Sequence, residues 1–342
     1  MARIRIGISG WTYPPWRGIF YPADLPQKRE LEFASRAVSS IEINGTFYSL
    51  QTPASFAAWS DAAPPDFLFA VKGNRFITHI RRLRDVAVPL ANFFASGVLK
   101  LGAKLGPLLW QLPPNLVYDR ATIDSFLQLL PRNTKEAAVL ARDQYEPQRH
   151  KRGTWLKADR TRRMRHAIEV RHASFENEEF VQLLRRHGVA LVIADTAGKW
   201  PLMEDVTADF LYLRLHGDEE LYASGYTPKA LKIWARKIKD WKSGGAHPKG
   251  AKMIAKPAQR RARGRDVFVY FDNDVKVRAP YDAMLLAHLV GAGPAPPKLP
   301  CFNPPRRNGT SGWAGLHVGK NGTRKNVTAK AKATKSKPRR PK

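Results

Sequence analysis

Along this chain, polar side chains recur at the ends of apolar runs, in types that can do chemistry together. Ser9 closes RIRIGIS and Trp11 follows it; Glu42 and Asn44 alternate with isoleucines in SIEIN; Lys72 closes FLFAVK. Gln111 sits in GPLLWQL, Glu169 and Arg171 in HAIEVRH, Asp195 near the end of ALVIADT, and Arg214 and His216 in FLYLRLH. VFVYFDN offers Asn273, or Asp272 if its register is shifted by one. Two carboxylates such as Glu42 and Glu169 can bracket a substrate for acid–base work. Lys72, Arg171 and Arg214 favour an anion, phosphate or carboxylate. His172 and His216 can carry protons near neutral pH. Trp11, Tyr13, Phe47, Tyr48 and Tyr226 can stack on a base or a sugar ring, or they can anchor loops and fill core.

Such groups meet only if the runs that carry them lie side by side. The runs predict strands at about 3–9, 40–44, 67–72, 106–112, 166–172, 190–196, 210–216 and 267–273. Helical patterns lie between them, and alternation of strand and helix argues for parallel β/α units. Eight units, with no glycine-rich dinucleotide fingerprint after the first strand, predict a single closed TIM-type (β/α)8 barrel. Side chains alternate across a strand. Ile41 and Ile43, Ile168 and Val170, and Leu211, Leu213 and Leu215 therefore face the helices, and the polar residues face the lumen near the C-terminal strand ends. That end carries the active site in barrels of this class.

Helix signals support the same reading. Thr52-Pro53 and Thr227-Pro228 are N-cap and N1 pairs. Thr122 opens a helix that Pro131 ends, and Ala279-Pro280 opens one that Gly291 closes. Leu231, Trp234, Ile238 and Trp241 form one apolar stripe, which predicts packing rather than cofactor binding.

The chain has 342 residues and a formal net charge of +29. Twelve Lys and Arg and no acidic residue fall in 301–342, which leaves 29 − 12 = +17 for the rest. Two basic patches, 149–165 and 249–265, lie between predicted elements. Such a surplus favours polyanionic partners, nucleic acid above all. The barrel domain is expected over 1–291, with an insertion at about 132–165. A Pro-rich linker and a disordered Lys/Arg-rich tail are expected over 292–342. Cys301 is the only cysteine, so a disulfide framework and a cysteine-type zinc site are excluded. With no secretory signal and no bilayer-spanning run, the expectation is a soluble cytoplasmic protein without a membrane partner.

The segments that carry these residues resemble the DUF72 (YecE-like) family. They are GISGWTYPPWRGIFYP (7–22), EINGTFYSLQTPASFAAW (42–59), FLFAVKGNRFITH (67–79), LLWQLPP (108–114), HAIEVRHASF (166–175), YLRLHGDEELYASGY (212–226) and VYFDNDVKVRAPYDA (269–283). The resemblance runs from about 3 to 291 and implies a TIM-type barrel with a pocket at its mouth. It brings no reaction with it. The chain departs from the commoner pattern at Phe175, where tryptophan is usual, at Asp272, where asparagine is frequent, in the 132–165 insertion, and in the tail after 300.

The polar lumen has two readings. In one, Glu42, Glu169 and Asp195 are neutralised by Lys72, Arg171 and Arg214 in an internal network. In the other, the same groups meet a ligand, because a buried unpaired charge costs several kcal/mol. The leading functional expectation is a hydrolase or lyase on a phosphorylated or nucleic-acid-like substrate. Glu169 is then the general base and His216 the acid; Arg171 and Arg214 hold the anion, and Glu42 with Asn44 orients it. The alternative is a non-catalytic nucleic-acid-binding barrel tethered by its basic tail, and a weaker one is a glycoside hydrolase. No metal or cofactor follows from any fixed-spacing motif.

Overall fold

The computed structural model describes residues 1–217, 225–273 and 277–297. The cationic tail, Cys301 and most of the DEELYASG stretch lie outside the described residues. Eight parallel strands close into one barrel in chain order. They are β1 Ile4–Ser9, β2 Ser40–Ile43, β3 Leu68–Lys72, β4 Leu105–Gln111, β5 His166–Glu169, β6 Ala190–Asp195, β7 Phe210–Leu215 and β8 Asp266–Phe271. Each expected strand is present. β5 and β8 stop two to three residues early, which leaves Arg171 and Asp272 just past the strand ends.

The helices are α1 Glu30–Ala37, α2 Gly45–Tyr48, α3 Pro53–Ala62, α4 Ala87–Ala95, α5 Arg120–Leu129, α6 Thr134–Gln144, α7 Glu178–His187, α8 Pro228–Lys242 and α9 Arg278–Leu289. Thr52 and Thr227 cap α3 and α8 by accepting from Ser55 N and Ala230 N. The start of α5 differs from expectation. Asp119 is its N-cap and accepts from Thr122 N, because a carboxylate competes well for that exposed amide. Residues 132–165, expected as an insertion, hold α6, which packs on α4. Among the described residues no helix stands between β6 and β7. Instead Glu204 accepts from Lys237 Nζ and Lys252 N, and Asp205 from the amides of Ile254 and Ala255. The 249–265 patch is thus sewn to the barrel wall at its start, and Arg265 at its end donates to the Gly244, Gly245 and Gln259 carbonyls.

Two apolar layers result from the strand alternation. Between sheet and helices lie Ile41, Ile43, Val71, Trp110, Ile168, Leu213, Phe271 and the α8 stripe, all buried. Trp110 Nε1 donates to His166 Nδ1 at 3.1 Å, and His166 Nε2 donates to the Pro131 carbonyl at 2.8 Å. Burial holds that imidazole neutral, at about 4. Removing an indole so placed costs about 3–5 kcal/mol. Inside the barrel, Ala70, Leu109, Ala167, Val192, Phe210, Tyr212, Phe268 and Tyr270 fill the lower lumen. Gly7 belongs there because a Cβ would lie 1.6 Å from the Ser40 carbonyl oxygen.

Candidate active site at the C-terminal mouth

Above that apolar tier stands a polar one, centred on Arg214. The register puts Ser9 beside Glu42, Gln111 beside Glu169, and Arg214 beside Ala194. Arg214 Nε and Nη2 donate to the two oxygens of Glu42 at 3.1 and 2.9 Å. Its Nη1 donates to Glu169 Oε2 at 2.8 Å, and Nη2 also to Asp272 Oδ2 at 2.7 Å. Glu42 accepts further bonds from Ser9 Oγ at 2.7 Å and Tyr212 OH at 2.6 Å. Glu169 Oε1 accepts from Arg171 Nε at 2.8 Å and Gln111 Nε2 at 2.9 Å. The side chains of Arg214, Glu42 and Glu169 have no solvent exposure. Charges at that depth persist only when paired and hydrogen-bonded, and these are.

The network fixes its own protonation. Burial opposes ionisation of Glu169, but Arg171 and Arg214 outweigh it and hold the carboxyl well below the usual range. Burial also opposes ionisation of Asp272, and Arg214 and His216 overcome it, bringing the carboxyl to about 2. Burial and then Arg214 push the His216 imidazole down. Arg214 Nη1 stands 3.4 Å from His216 Nε2. A guanidinium cannot accept, so Nε2 is the acceptor and the proton sits on Nδ1, 3.2 Å from Asp272 Oδ2.

Lys72 is different. It is 8% exposed, at the C-terminal end of β3. Among the described residues its Nζ makes no hydrogen bond or ion pair; it lies 4.5 Å from the centroid of the Phe47 ring. Burial and then Arg214 lower its pKa to about 8, against the pull of Glu42, Asp272 and Glu169. Its backbone is clamped: Thr46 Oγ1 donates to the Lys72 carbonyl at 2.6 Å, and Gly73 N to the Leu109 carbonyl at 2.7 Å. Gly73 has no alternative there, since a Cβ would meet the Trp110 ring at 2.2 Å.

The rim around Lys72 carries further polar and aromatic groups. Arg171 lies 3.7 Å over the Trp200 ring, and only its Nε is hydrogen-bonded among the described residues. His79 stands edge-on to Phe47 at 5.0 Å; burial, then Lys72 and Arg171, lower it to about 4. Asn44 Oδ1 is buried without a hydrogen-bond partner among the described residues. Tyr48 is 53% exposed and edge-on to Phe47. Non-glycine residues with left-handed backbone occur at Arg82, Leu83 and Asp85 after β3, Ala197 after β6 and Val277 after β8. All are on connections that leave the C-terminal strand ends, and strain of this kind concentrates at working faces of proteins.

Several expected site residues lie elsewhere. Asp195 shares its face with Leu191 and Ile193, not with Ala194. It therefore points behind the sheet, where it accepts from Tyr226 OH at 3.0 Å and Trp234 Nε1 at 3.3 Å. That also removes Tyr226, which is buried against Phe271. Asn273 donates to Asp282 Oδ2 of α9 at 2.9 Å, so β8 presents Asp272 to the lumen. His172 accepts from Ser174 N and caps the turn Ala173–Phe175. Trp11 packs edge-on to Trp59 and Tyr13 leans on Trp16, with its OH donating to the Ser9 carbonyl; both brace the β1 loop. Sequence reasoning missed Tyr212, His79 and Trp200. Tyr212 was recoverable, being two residues before Arg214 in the same alternation. His79 and Trp200 carried no periodic signal. Among the described residues no three His, Cys, Asp or Glu side chains converge where they would hold a metal ion. No described helix is long and apolar enough to cross a membrane.

The fold has solved counterparts. A DUF72 family protein from Thermotoga maritima superposes with a TM-score of 0.63 at 22% identity, over 84% of this chain and 99% of that one. A DUF72 family protein from Enterococcus faecalis, in two structures, gives TM-scores of 0.59 and 0.56 at 16% identity, over 86% and 85% of this chain and 98% of its own. These show the fold alone. No curated protein sequence matches the chain. A family model described as "Protein of unknown function DUF72" matches residues 5–305, and the chain belongs to that family.

Proposed function

We propose that the chain is an enzyme, a hydrolase or lyase, acting at the C-terminal mouth on a phosphorylated or nucleic-acid-like substrate. The observation that carries this reading is the split between the two halves of the polar tier. Glu42, Glu169 and Asp272 all bond to Arg214, while Lys72 and the outer nitrogens of Arg171 keep their donors unspent at the rim. An incoming anion then meets two cations rather than three carboxylates. Glu169 and His216, expected as base and acid, lie inside the network with depressed pKa values. Their supporting role is to fix Arg171 and Arg214. Lys72, near 8, is the group suited to exchange a proton close to neutral pH. With Glu42 and Glu169 both held by one guanidinium, neither is free to bracket a glycosidic bond, and the glycoside hydrolase reading loses its basis.

A thermal-shift panel of nucleotides, sugar phosphates, short oligonucleotides and divalent metals tests the proposal. A ligand at a hundred times its dissociation constant should add about 2.7 kcal/mol, and Arg171→Met should abolish the shift. If no phosphorylated compound stabilises the protein, the reading fails.

A second reading, polyanion binding, has its own observation. Lys229, Lys232, Arg236 and Lys239 line one groove of about 580 Å³ along α8 with Ile233 and Leu289, and make no ion pair among the described residues. Sequence-independent DNA binding there should weaken steeply with salt. Lys232→Glu with Arg236→Glu should flatten that salt dependence; unchanged binding would rule this face out.

A further inference from the structure

Three carboxylates stand close enough to Lys72 to influence it, yet none lies within 4 Å of it. All three turn to Arg214. A lysine needed only to balance charge would sit on a carboxylate, as Lys237 sits on Glu204 at 2.6 Å on the outside of this barrel. Lys72 instead rests against the Phe47 ring, nearly buried, on a backbone clamped from both sides. An amine desolvated beside an aromatic ring and a second cation is the environment in which lysine becomes a nucleophile.

From this geometry we propose that Lys72 condenses with an aldehyde or ketone to form an imine, the carbonyl compound bearing a phosphate or carboxylate that Arg171 holds. The inference rests on the mouth being a substrate site and names the substrate class within it. The Nζ lone pair attacks the carbonyl carbon and the C=O π electrons move to oxygen. The two amine protons leave with that oxygen as water, and C=N replaces C=O. The imine then serves as an electron sink, which favours the lyase branch of the proposed function over the hydrolase branch. Arg171 suits the anion because its plane is fixed by Trp200 on one face and by Glu169 at Nε, leaving Nη1 and Nη2 in a fork.

Reductive trapping tests this directly. The full chain is incubated with limiting glyceraldehyde 3-phosphate and sodium cyanoborohydride at pH 7, and labelled lysines are located by peptide mass mapping. Cyanoborohydride supplies the hydride that turns the imine into a stable secondary amine. Lys72 should label about tenfold or more faster than the exposed lysines, because its neutral fraction at pH 7 is larger. Lys72→Arg should keep the fold and the cation and lose that label. Arg171→Met should remove the preference for glyceraldehyde 3-phosphate over glyceraldehyde while leaving Lys72 reactive. Labelling of Lys72 no faster than of surface lysines, in a protein that phosphorylated ligands still stabilise, overturns the imine and leaves the site standing. Absence of both labelling and stabilisation overturns the site as well.

Discussion

The two ends of the barrel lumen use the same residue types and treat them oppositely. At the N-terminal end, Arg165 pairs with Asp266 at 2.7 Å, both 27% exposed, and Arg5 faces a largely solvated Asp66 at 3.6 Å. Arg165 also lies over the Phe210 and Phe268 rings that floor this opening. Each pair there is open to water on at least one side. At the C-terminal end, one arginine with no exposure gathers Glu42, Glu169 and Asp272, and a lysine beside it is given no carboxylate. Surface pairs are worth little, and breaking a buried one leaves its partners stranded. The N-terminal end closes the barrel; the C-terminal end spends folding energy to hold charges in a fixed pattern under a reactive rim.

The contrast is sharpest at Arg214. Arg214→Met strands two buried carboxylates and a third, Asp272, that is partly exposed, and should lower the unfolding free energy by about 4 kcal/mol or more, read from urea midpoints. A loss under about 1 kcal/mol would mean that water reaches the network and the two ends do not differ.

Lys72→Met should act in the other direction. The folded pKa of Lys72, about 8, lies below its ordinary value of 10.5. The unfolded chain therefore binds more protons between those values, and stability rises with pH across that window. The charged lysine is a liability below pH 8, so Lys72→Met should stabilise the protein at pH 7 by up to about 3 kcal/mol, with the gain shrinking toward pH 10.5. Stability gained by removing a group at a candidate site is the mark of function held against stability. A loss at pH 7 would place Lys72 among the structural charges instead.

The acid side has the opposite origin and the same sign of slope. Asp272 and Glu169 titrate lower in the fold than in the unfolded chain. The stability they contribute is complete above about pH 5, and the share from Asp272 is lost as pH falls toward 2, since the unfolded chain takes up protons first. Asp272→Asn should remove about 2 kcal/mol of that acid dependence, seen as a flatter unfolding profile between pH 4 and 2. An unchanged profile would show that the carboxylate titrates as if exposed.

Arg165→Met at the N-terminal end is the smallest change, about 1 kcal/mol or less, and raised salt should shrink it further. A cost equal to that of Arg214→Met would erase the distinction between the ends.

The eight strands, their order and the inward facing of Glu42, Lys72, Gln111, Glu169 and Arg214 were legible in the sequence because a period of two survives any tertiary detail. The same rule, applied with the wrong phase at the strand ends, misplaced Asp195 and Asn273. One residue of register moves a side chain through the wall of the barrel, and the last residues of a strand have few neighbours in the sequence to fix the phase. His79 and Trp200 were invisible because they reach the mouth from the connections after β3 and β6, His79 from a single helical turn at Phe76–Ile80, too short for a periodicity to report direction.

The pattern of apolar and polar residues thus determined by itself the closed barrel, the core on both sides of its wall and the presence of charge in the lumen. Alternation is local, and burial of the apolar face enforces it. Pairing among the lumen charges is a matter of distances across the ring, between residues as far apart in sequence as Glu42 and Asp272. Only the closed fold decided that the three carboxylates belong to Arg214, and that Lys72 stands apart from them.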